Sequence, residues 1–220
     1  MLEVNCSKCQ IRACYTGEAN LDSLPDFCPM RTMPHVIEKA LEQYSLENFK
    51  RFYVSSAWTE KQAYEWVRGQ LVPVWPRIRE VIEFCKRLGI IRIGVAFCVG
   101  LSDEARRVVE TLEKHGLKVY SVICQCGGVD KTDLGVRAKY KLSKDKSQHE
   151  TACNPISQAY VLNEAETELN LIVGLCLGHD ILFNLNSKAP VTTLIVKDRV
   201  SGHNPTVSLY CRYMHGRIEP

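Results

Sequence analysis

The sequence predicts an α/β protein: a Rossmann-like or flavodoxin-like three-layer sandwich on a mostly parallel sheet, preceded by a helical segment and a small N-terminal module with four cysteines. Three observations carry this expectation. From residue 90 onward, apolar runs too uniform for half-exposed strands alternate with helical stretches, as in a parallel sheet covered on both faces. Helix-start chemistry (Ser102-Asp103-Glu104, Asn154-Pro155) and closing glycines (Gly89, Gly116) fall between those runs. Residues 1–34 show neither helical nor strand periodicity, yet hold Cys6, Cys9, Cys14 and Cys28 among Pro25, Pro29 and Pro34.

The expected divisions are therefore 1–34, a four-cysteine metal-binding module; 35–89, a helical segment; and 90–220, the α/β domain. In the helical segment Val36, Ala40, Leu41 and Tyr44 share one face. Thr59, with Gln62 three residues on, predicts a cap for a helix from Glu60 to about Leu71, and Pro76 opens another that ends at Gly89. Strands are expected at Ile91–Phe97, Leu117–Ile123, Leu169–Leu175 and Val191–Val196. Helices should run from Ser102 to near Gly116, from Asn154-Pro155 to about Glu166, and from His179 to Leu185, with another start at Asn204-Pro205. Between the second strand and Asn154 lies a polar excursion, 127–151, in which 141–146 reads as a solvated loop.

Composition bounds the function. A chain of 220 residues with 45% hydrophobic content can bury a sizeable core, and a net charge of +3 without a basic block argues against nucleic acid as a partner. The longest apolar stretches, Ile90–Gly100 and Leu169–Leu177, are too short to span a bilayer. The first residues have neither the basic start nor the apolar run of a signal peptide, so the expected location is the cytoplasm.

Cysteine is the feature that composition does not explain. Eleven is an odd number, and in a reducing compartment clustered thiols point to metal or catalysis rather than to disulfides. Cys85 lies in the apolar helical pattern Ile78, Val81, Ile82, Cys85, and reads, like Cys211, as a small buried hydrophobe. The others fall at informative places. Cys98 ends the first strand, Cys124 and Cys126 the second, Cys176 the third, and Cys153 directly precedes a helix start. The carboxyl ends of parallel strands form the ligand-binding edge of such sheets, so thiols far apart in sequence should converge on one rim. Four thiolates in one pocket repel each other unless a cation neutralises them. Gly100, Gly127, Gly128, Gly174 and Gly178 lie beside these thiols, where close backbone approach and amide donors to sulfur would tune a cluster. The helix starts at Asn154 and His179 would offset negative charge.

The N-terminal quartet has the spacing C-x2-C-x4-C-x13-C, in which Cys6 and Cys9 can occupy adjacent positions on one metal, Cys14 and Cys28 completing the set. An iron–sulfur cluster, 4Fe–4S, is favoured over zinc because a second cysteine group lies in the same chain. His179, Lys197 and His203 are the candidate catalytic groups. Either histidine could supply a proton, while Lys197 or Arg199 holds a small anionic or sulfur-containing substrate on the same rim; the competing view is a solvated loop. A redox partner is expected and a membrane partner is not.

Several blocks resemble a family of prokaryotic proteins described as predicted metal-binding, with a domain of unknown function. They are Leu175-Cys176-Leu177-Gly178-His179-Asp180, the run from Ala189-Pro190-Val191-Thr192-Thr193 to Lys197-Asp198-Arg199, and Gly202-His203-Asn204-Pro205. Ala96-Phe97-Cys98-Val99-Gly100-Leu101 and Ala152-Cys153-Asn154-Pro155-Ile156-Ser157-Gln158-Ala159 resemble further blocks. The resemblance implies metal binding, and it weights the ligand set towards Cys98, Cys124, Cys153 and Cys176, with Cys126 outside the motif.

Two other readings compete. Gly174-Leu175-Cys176-Leu177-Gly178 has the form of a nucleophile elbow, and Asp198 and His203 follow in hydrolase order, which would make a Cys-His-Asp hydrolase. That reading leaves Cys98, Cys124, Cys126 and Cys153 without a role. A zinc-stabilised binding protein without catalysis is the other.

Overall fold

A computed structural model describes residues 4–17 and 20–218, in two compact units, 1–58 and 59–220. In the first unit a 3-10 turn, Cys6–Lys8, is followed by α1 (Ala13–Thr16), α2 (Pro29–Thr32), α3 (Pro34–Gln43) and the start of α4 (Glu47–Gln62), which runs across the boundary. Cys28 is the extended residue before α2, and Pro29 fills the first helical position, where a missing N–H costs nothing. The Arg31 guanidinium ties this turn together by reaching the Leu24 carbonyl at 2.9 Å and the Asp26 carboxylate at 2.8 Å.

The second unit opens differently from the sequence expectation. Thr59 lies inside α4, and no helix follows it to Leu71. The chain instead forms a hairpin, β1 (Tyr64–Val67) antiparallel to β2 (Gln70–Pro73). The reason is local. Tyr64, Trp66, Val67 and Val72 favour a pleated strand over a helix. Arg68 and Gly69 both take positive φ (51° and 77°), the two-residue turn whose twist matches a hairpin.

From there the α/β alternation appears as read. The elements are α5 (Arg77–Leu88), β3 (Arg92–Phe97), α6 (Ser102–Lys114), β4 (Lys118–Ile123), α7 (Pro155–Glu164), β5 (Leu169–Val173), α8 (His179–Asn186) and β6 (Val191–Ile195). The short helices α9 (Thr206–Tyr210) and α10 (Arg212–His215) follow. Strands β3 to β6 form one sheet in the order β4-β3-β5-β6, and every neighbouring pair is parallel. The central strands β3 and β5 are buried nearly throughout, which is why their sequences are apolar apart from Arg92 and Asn170. Two fully buried polar residues, Asn170 and Gln158, share that core. Asn170 bonds Thr167 and Ser187, and its carboxamide oxygen occupies the space a side chain at Gly94 would need.

The polar excursion is built, not merely solvated. Lys141 is only 5% exposed; its ammonium bonds the Asp130 carboxylate at 2.9 Å and the Gln148 carbonyl at 2.8 Å. Asp130 also accepts from the Thr132 and Glu150 amides, Lys131 pairs with Glu150, and an antiparallel bridge joins Asp130 to Thr151. The loop is thereby clasped shut just ahead of Cys153. The charge of Lys141 suggests solvent, but a residue that supplies an ammonium to a buried carboxylate belongs inside.

Candidate functional site

In the strand order β4-β3-β5-β6, the connection from β3 runs to one side and that from β5 to the other, so the crevice between their carboxyl ends is the switch point of the sheet. Cys98 follows β3 directly and Cys176 lies three residues beyond β5, on either side of that crevice. The backbone keeps the two strand ends together, Cys98 N–H donating to the Val173 carbonyl at 3.2 Å. Gly174 then turns the chain with φ +66°, packed so closely on Leu101 that an added Cβ would lie 2.5 Å from its Cδ2.

Cys124 comes from the end of β4, its amide bonded to the Phe97 carbonyl at 2.8 Å. Cys153 is brought opposite it by the clasp and by two backbone bonds, Ala152 N–H to the Val129 carbonyl (2.8 Å) and Asn154 N–H to the Cys124 carbonyl (2.6 Å). Asn154 then caps α7 as its sequence predicts, its side-chain oxygen accepting from Ser157 N–H at 3.0 Å. The sulfurs of Cys124 and Cys153 are 3.7 Å apart.

Hydrogen bonding to Cys153, with burial second, pushes the Cys124 thiol well up, and the same contact lowers Cys153, so Cys153 ionises before Cys124. The Val99 N–H also donates to the Cys124 sulfur at 3.3 Å. Charges on Cys176 and Cys98 act on Cys153, and Cys98 acts on Cys124. Cys98, Cys124, Cys153 and Cys176, the four that the resemblance favours, thus act on one another electrostatically.

Two cations complete it. Lys197 Nζ reaches Cys98 Sγ at 3.1 Å, and Arg199 Nη2 reaches Cys176 Sγ at 3.0 Å. They sit two residues apart just past β6, where the pairing with β5 slips between Ile172 and Val173 (Ile172 opposite Thr193, Val173 opposite Ile195). A bulge next to a site re-aims the residues beyond it, and here it delivers alternate side chains to the two sulfurs. Gly100 makes room for the first contact, since an added Cβ would lie 3.1 Å from Lys197 Nζ.

His179 opens α8, with its Nδ1 buried and unpartnered. Burial lowers its pKa, against the opposing charge of Asp180, so the ring is neutral near pH 7. Gly178, φ +84°, precedes it, and its N–H bonds the Asp180 carboxylate at 2.9 Å. His203, with φ +68°, uses Nδ1 to accept from the Asp198 amide at 3.1 Å, while the Asp198 carboxylate accepts from the Val200 and Ser201 amides. These bonds fold the loop behind Lys197 and Arg199. They do not form a Cys176-His203-Asp198 relay, because the carboxylate is not bonded to the ring and Cys176 is bonded to Arg199.

Sequence reasoning missed Gln158. It is fully buried on α7, and its amide donates to the Val122 and Phe97 carbonyls (2.7 and 3.2 Å), bracing β4 and β3 immediately below Cys124 and Cys98. Its signals were a glutamine on the apolar side of that helix and its place in one of the blocks that resemble the family, neither of which assigned it a role. Cys126 has a half-buried side chain near Cys124, and Cys85 is buried with its thiol pushed up to about 12 by desolvation, as a structural cysteine should be.

In the N-terminal unit Cys6 and Cys14 are exposed, Cys9 and Cys28 half-buried, and the Arg12 N–H points at the Cys9 sulfur at 3.4 Å. Among the described residues, in either unit, no three His, Cys, Asp or Glu side chains stand in an arrangement that would hold a metal ion. No helix among them is long and apolar enough to cross a membrane.

A parallel α/β sheet with a cysteine-lined switch point is the class these features define. The chain belongs to the family described as a protein of unknown function, DUF1847, whose model matches residues 28–194. It is similar to "Uncharacterized protein MJ0455" of Methanocaldococcus jannaschii, being 42% identical over 211 residues, which are 96% of this chain and 95% of that protein.

Proposed function

We propose that the strand-end rim is an iron–sulfur site, 4Fe–4S with zinc as the alternative, held by Cys98, Cys124, Cys153 and Cys176 in a cytoplasmic protein of redox or sulfur-transfer chemistry. One observation supports the reading: the four cysteines lie in four chain segments at the carboxyl-end rim of the sheet, the sulfurs of Cys124 and Cys153 are 3.7 Å apart, and three of the four have a donor or a cation of their own. Lys197 serves Cys98, the Val99 amide serves Cys124 and Arg199 serves Cys176. Cluster thiolates take this environment, in which N–H donors and positive charge lower the cost of several anionic sulfurs in one place. The chemistry of the donors suits the group, and binding it would have to draw together side chains of which, among the described residues, no three now stand in a metal-holding arrangement.

When bound, the cluster would supply one-electron transfer or a Lewis-acidic iron. The chain's own residues do the rest. Lys197 and Arg199 balance charge and draw a small anionic or sulfur-containing substrate to the rim, and neutral His179 is the group able to accept a proton there. His203 shapes the loop that presents the two cations. Gln158 fixes the strand ends below the sulfurs. A Rossmann-like, three-layer architecture belongs to the same proposal. Right-handed crossovers would put α6 on one face and α7 with α8 on the other, and α7 and α8 do pack on one another. Cys6, Cys9, Cys14 and Cys28 are proposed as a second site in the N-terminal unit.

The test is iron, zinc and acid-labile sulfide analysis after anaerobic purification, on the natural chain and on Cys176→Ser. Iron with sulfide in the natural chain, falling but not vanishing in Cys176→Ser, supports both sites. Zinc without sulfide replaces the redox reading by a binding protein, and full metal retention in Cys176→Ser removes the rim from the proposal.

A further inference from the structure

Cys124 and Cys153 lie closer together than a pair of metal-free ligands needs to. Their sulfurs stand 3.7 Å apart, and the backbones that carry them are bonded to each other, Asn154 N–H to the Cys124 carbonyl at 2.6 Å. With standard bond lengths that bond keeps the two Cα atoms within about 7 Å, near the reach of a disulfide, whose Cα atoms stand roughly 4.4–6.8 Å apart. The other rim sulfurs are engaged elsewhere, Cys98 with Lys197 and Cys176 with Arg199.

We infer that Cys124 and Cys153 are a dithiol–disulfide couple, a thiol-exchange activity of the metal-free rim that takes a small organic disulfide as its oxidising substrate. The inference goes beyond the cluster reading and does not depend on it. Access sets the order of events: Cys124 is 1% exposed, whereas Cys153 is half-buried and meets solvent first. The Cys153 thiolate attacks one sulfur of the substrate R–S–S–R, forming a mixed disulfide and releasing one thiolate. The Cys124 sulfur, having given up its proton, then attacks the Cys153 sulfur and releases the second thiolate. Two protein thiols are oxidised and one disulfide is reduced to two thiols, so electrons and protons balance. A small dithiol reverses both steps. Forming the bond withdraws two of the four proposed ligands at once, so oxidation and metal loading exclude each other at this rim.

The experiment uses the full chain, stripped of metal by a chelator under reducing conditions, desalted, and exposed to oxidised glutathione. Samples are quenched with acid, alkylated and mapped by mass spectrometry. The expected product is one Cys124–Cys153 peptide, with two of the eleven thiols lost and both restored by dithiothreitol. Cys124→Ser should instead accumulate a glutathione adduct on Cys153, and Cys126→Ala should form the link as the natural chain does. The inference is overturned if Cys124 and Cys153 stay free while other cysteines react, or if Cys153 pairs with a different cysteine. Metal content measured before stripping reports on the cluster separately, so a chain that binds iron without forming the link, or forms the link without binding iron, distinguishes the two readings.

Discussion

Gly174→Ala should destabilise the second unit by about 2–5 kcal/mol, through two separable causes. The backbone there has φ +66°, a left-handed conformation that costs an L-residue roughly 1–2 kcal/mol. The new methyl would also stand 2.5 and 2.8 Å from the two terminal carbons of Leu101, which is itself fully buried and has no open direction to turn; overpacking of this kind costs about 1–3 kcal/mol. Leu101→Ala removes the collision but not the backbone strain. In that background the glycine substitution should therefore cost only about 1–2 kcal/mol, a coupling of about 1–3 kcal/mol between two residues in contact. Amide hydrogen exchange of β3 and β5 in urea is the assay, because it reports this sheet and not the whole chain. A loss below about 0.5 kcal/mol, or single effects that add within that margin, would refute the packing argument and with it the account of how Cys176 is held beside Cys98.

Three shorter predictions follow from the same geometry. Glu150 is held at about 2, below its ordinary 4.5, first by Lys131 and then by the Ser143 and Leu142 amides. Because the folded value is the lower one, its stabilisation is complete above 4.5 and is lost as pH falls towards 2. Exchange protection of the Ser143 and Leu142 amides should disappear in that window, and constant protection across it would contradict the pairing. Cys85, pushed up to about 12, should stay unmodified by iodoacetamide at mildly alkaline pH until the chain is unfolded; peptide mapping of native and denatured samples checks this. If the rim holds a cluster, Arg199→Gln removes a charge and the donor to Cys176, and should lower the reduction potential measured by redox titration, whereas an unchanged potential would place the guanidinium outside the cluster's influence.

Much of the fold was legible because its signals are local. The uniform apolar runs of β3 and β5, the Asn154-Pro155 cap and the closing glycine of α5 are each complete within a few residues. The hairpin was not, since Thr59 and Gln62 imitate a capping pair, and only the aromatic and β-branched residues around Arg68-Gly69 mark the strands. The placement of Cys98, Cys124 and Cys176 just past the carboxyl ends of three strands followed from one topological rule. Which cation meets which sulfur did not, because the assignment of Lys197 to Cys98 and Arg199 to Cys176 depends on a shift in strand pairing, and periodicity does not show a bulge. Lys141 and Gln158 were hidden for a related reason: a polar side chain declares its burial only through partners distant in sequence.

The clasp between Asp130 and Thr151 also changes how far apart Cys124 and Cys153 are along the connected chain. They are separated by 29 residues in sequence. The bridge lies six residues after Cys124 and two before Cys153, so a path across it is roughly threefold shorter. Ring-closure entropy grows as the logarithm of the path, and a threefold shortening is worth about 1 kcal/mol, or about fivefold in the chance of the two thiols meeting. The ion pairs of a loop on the far side of the cysteines thus act as a multiplier on their local concentration: acid that opens the lobe would dilute the pair without touching either sulfur.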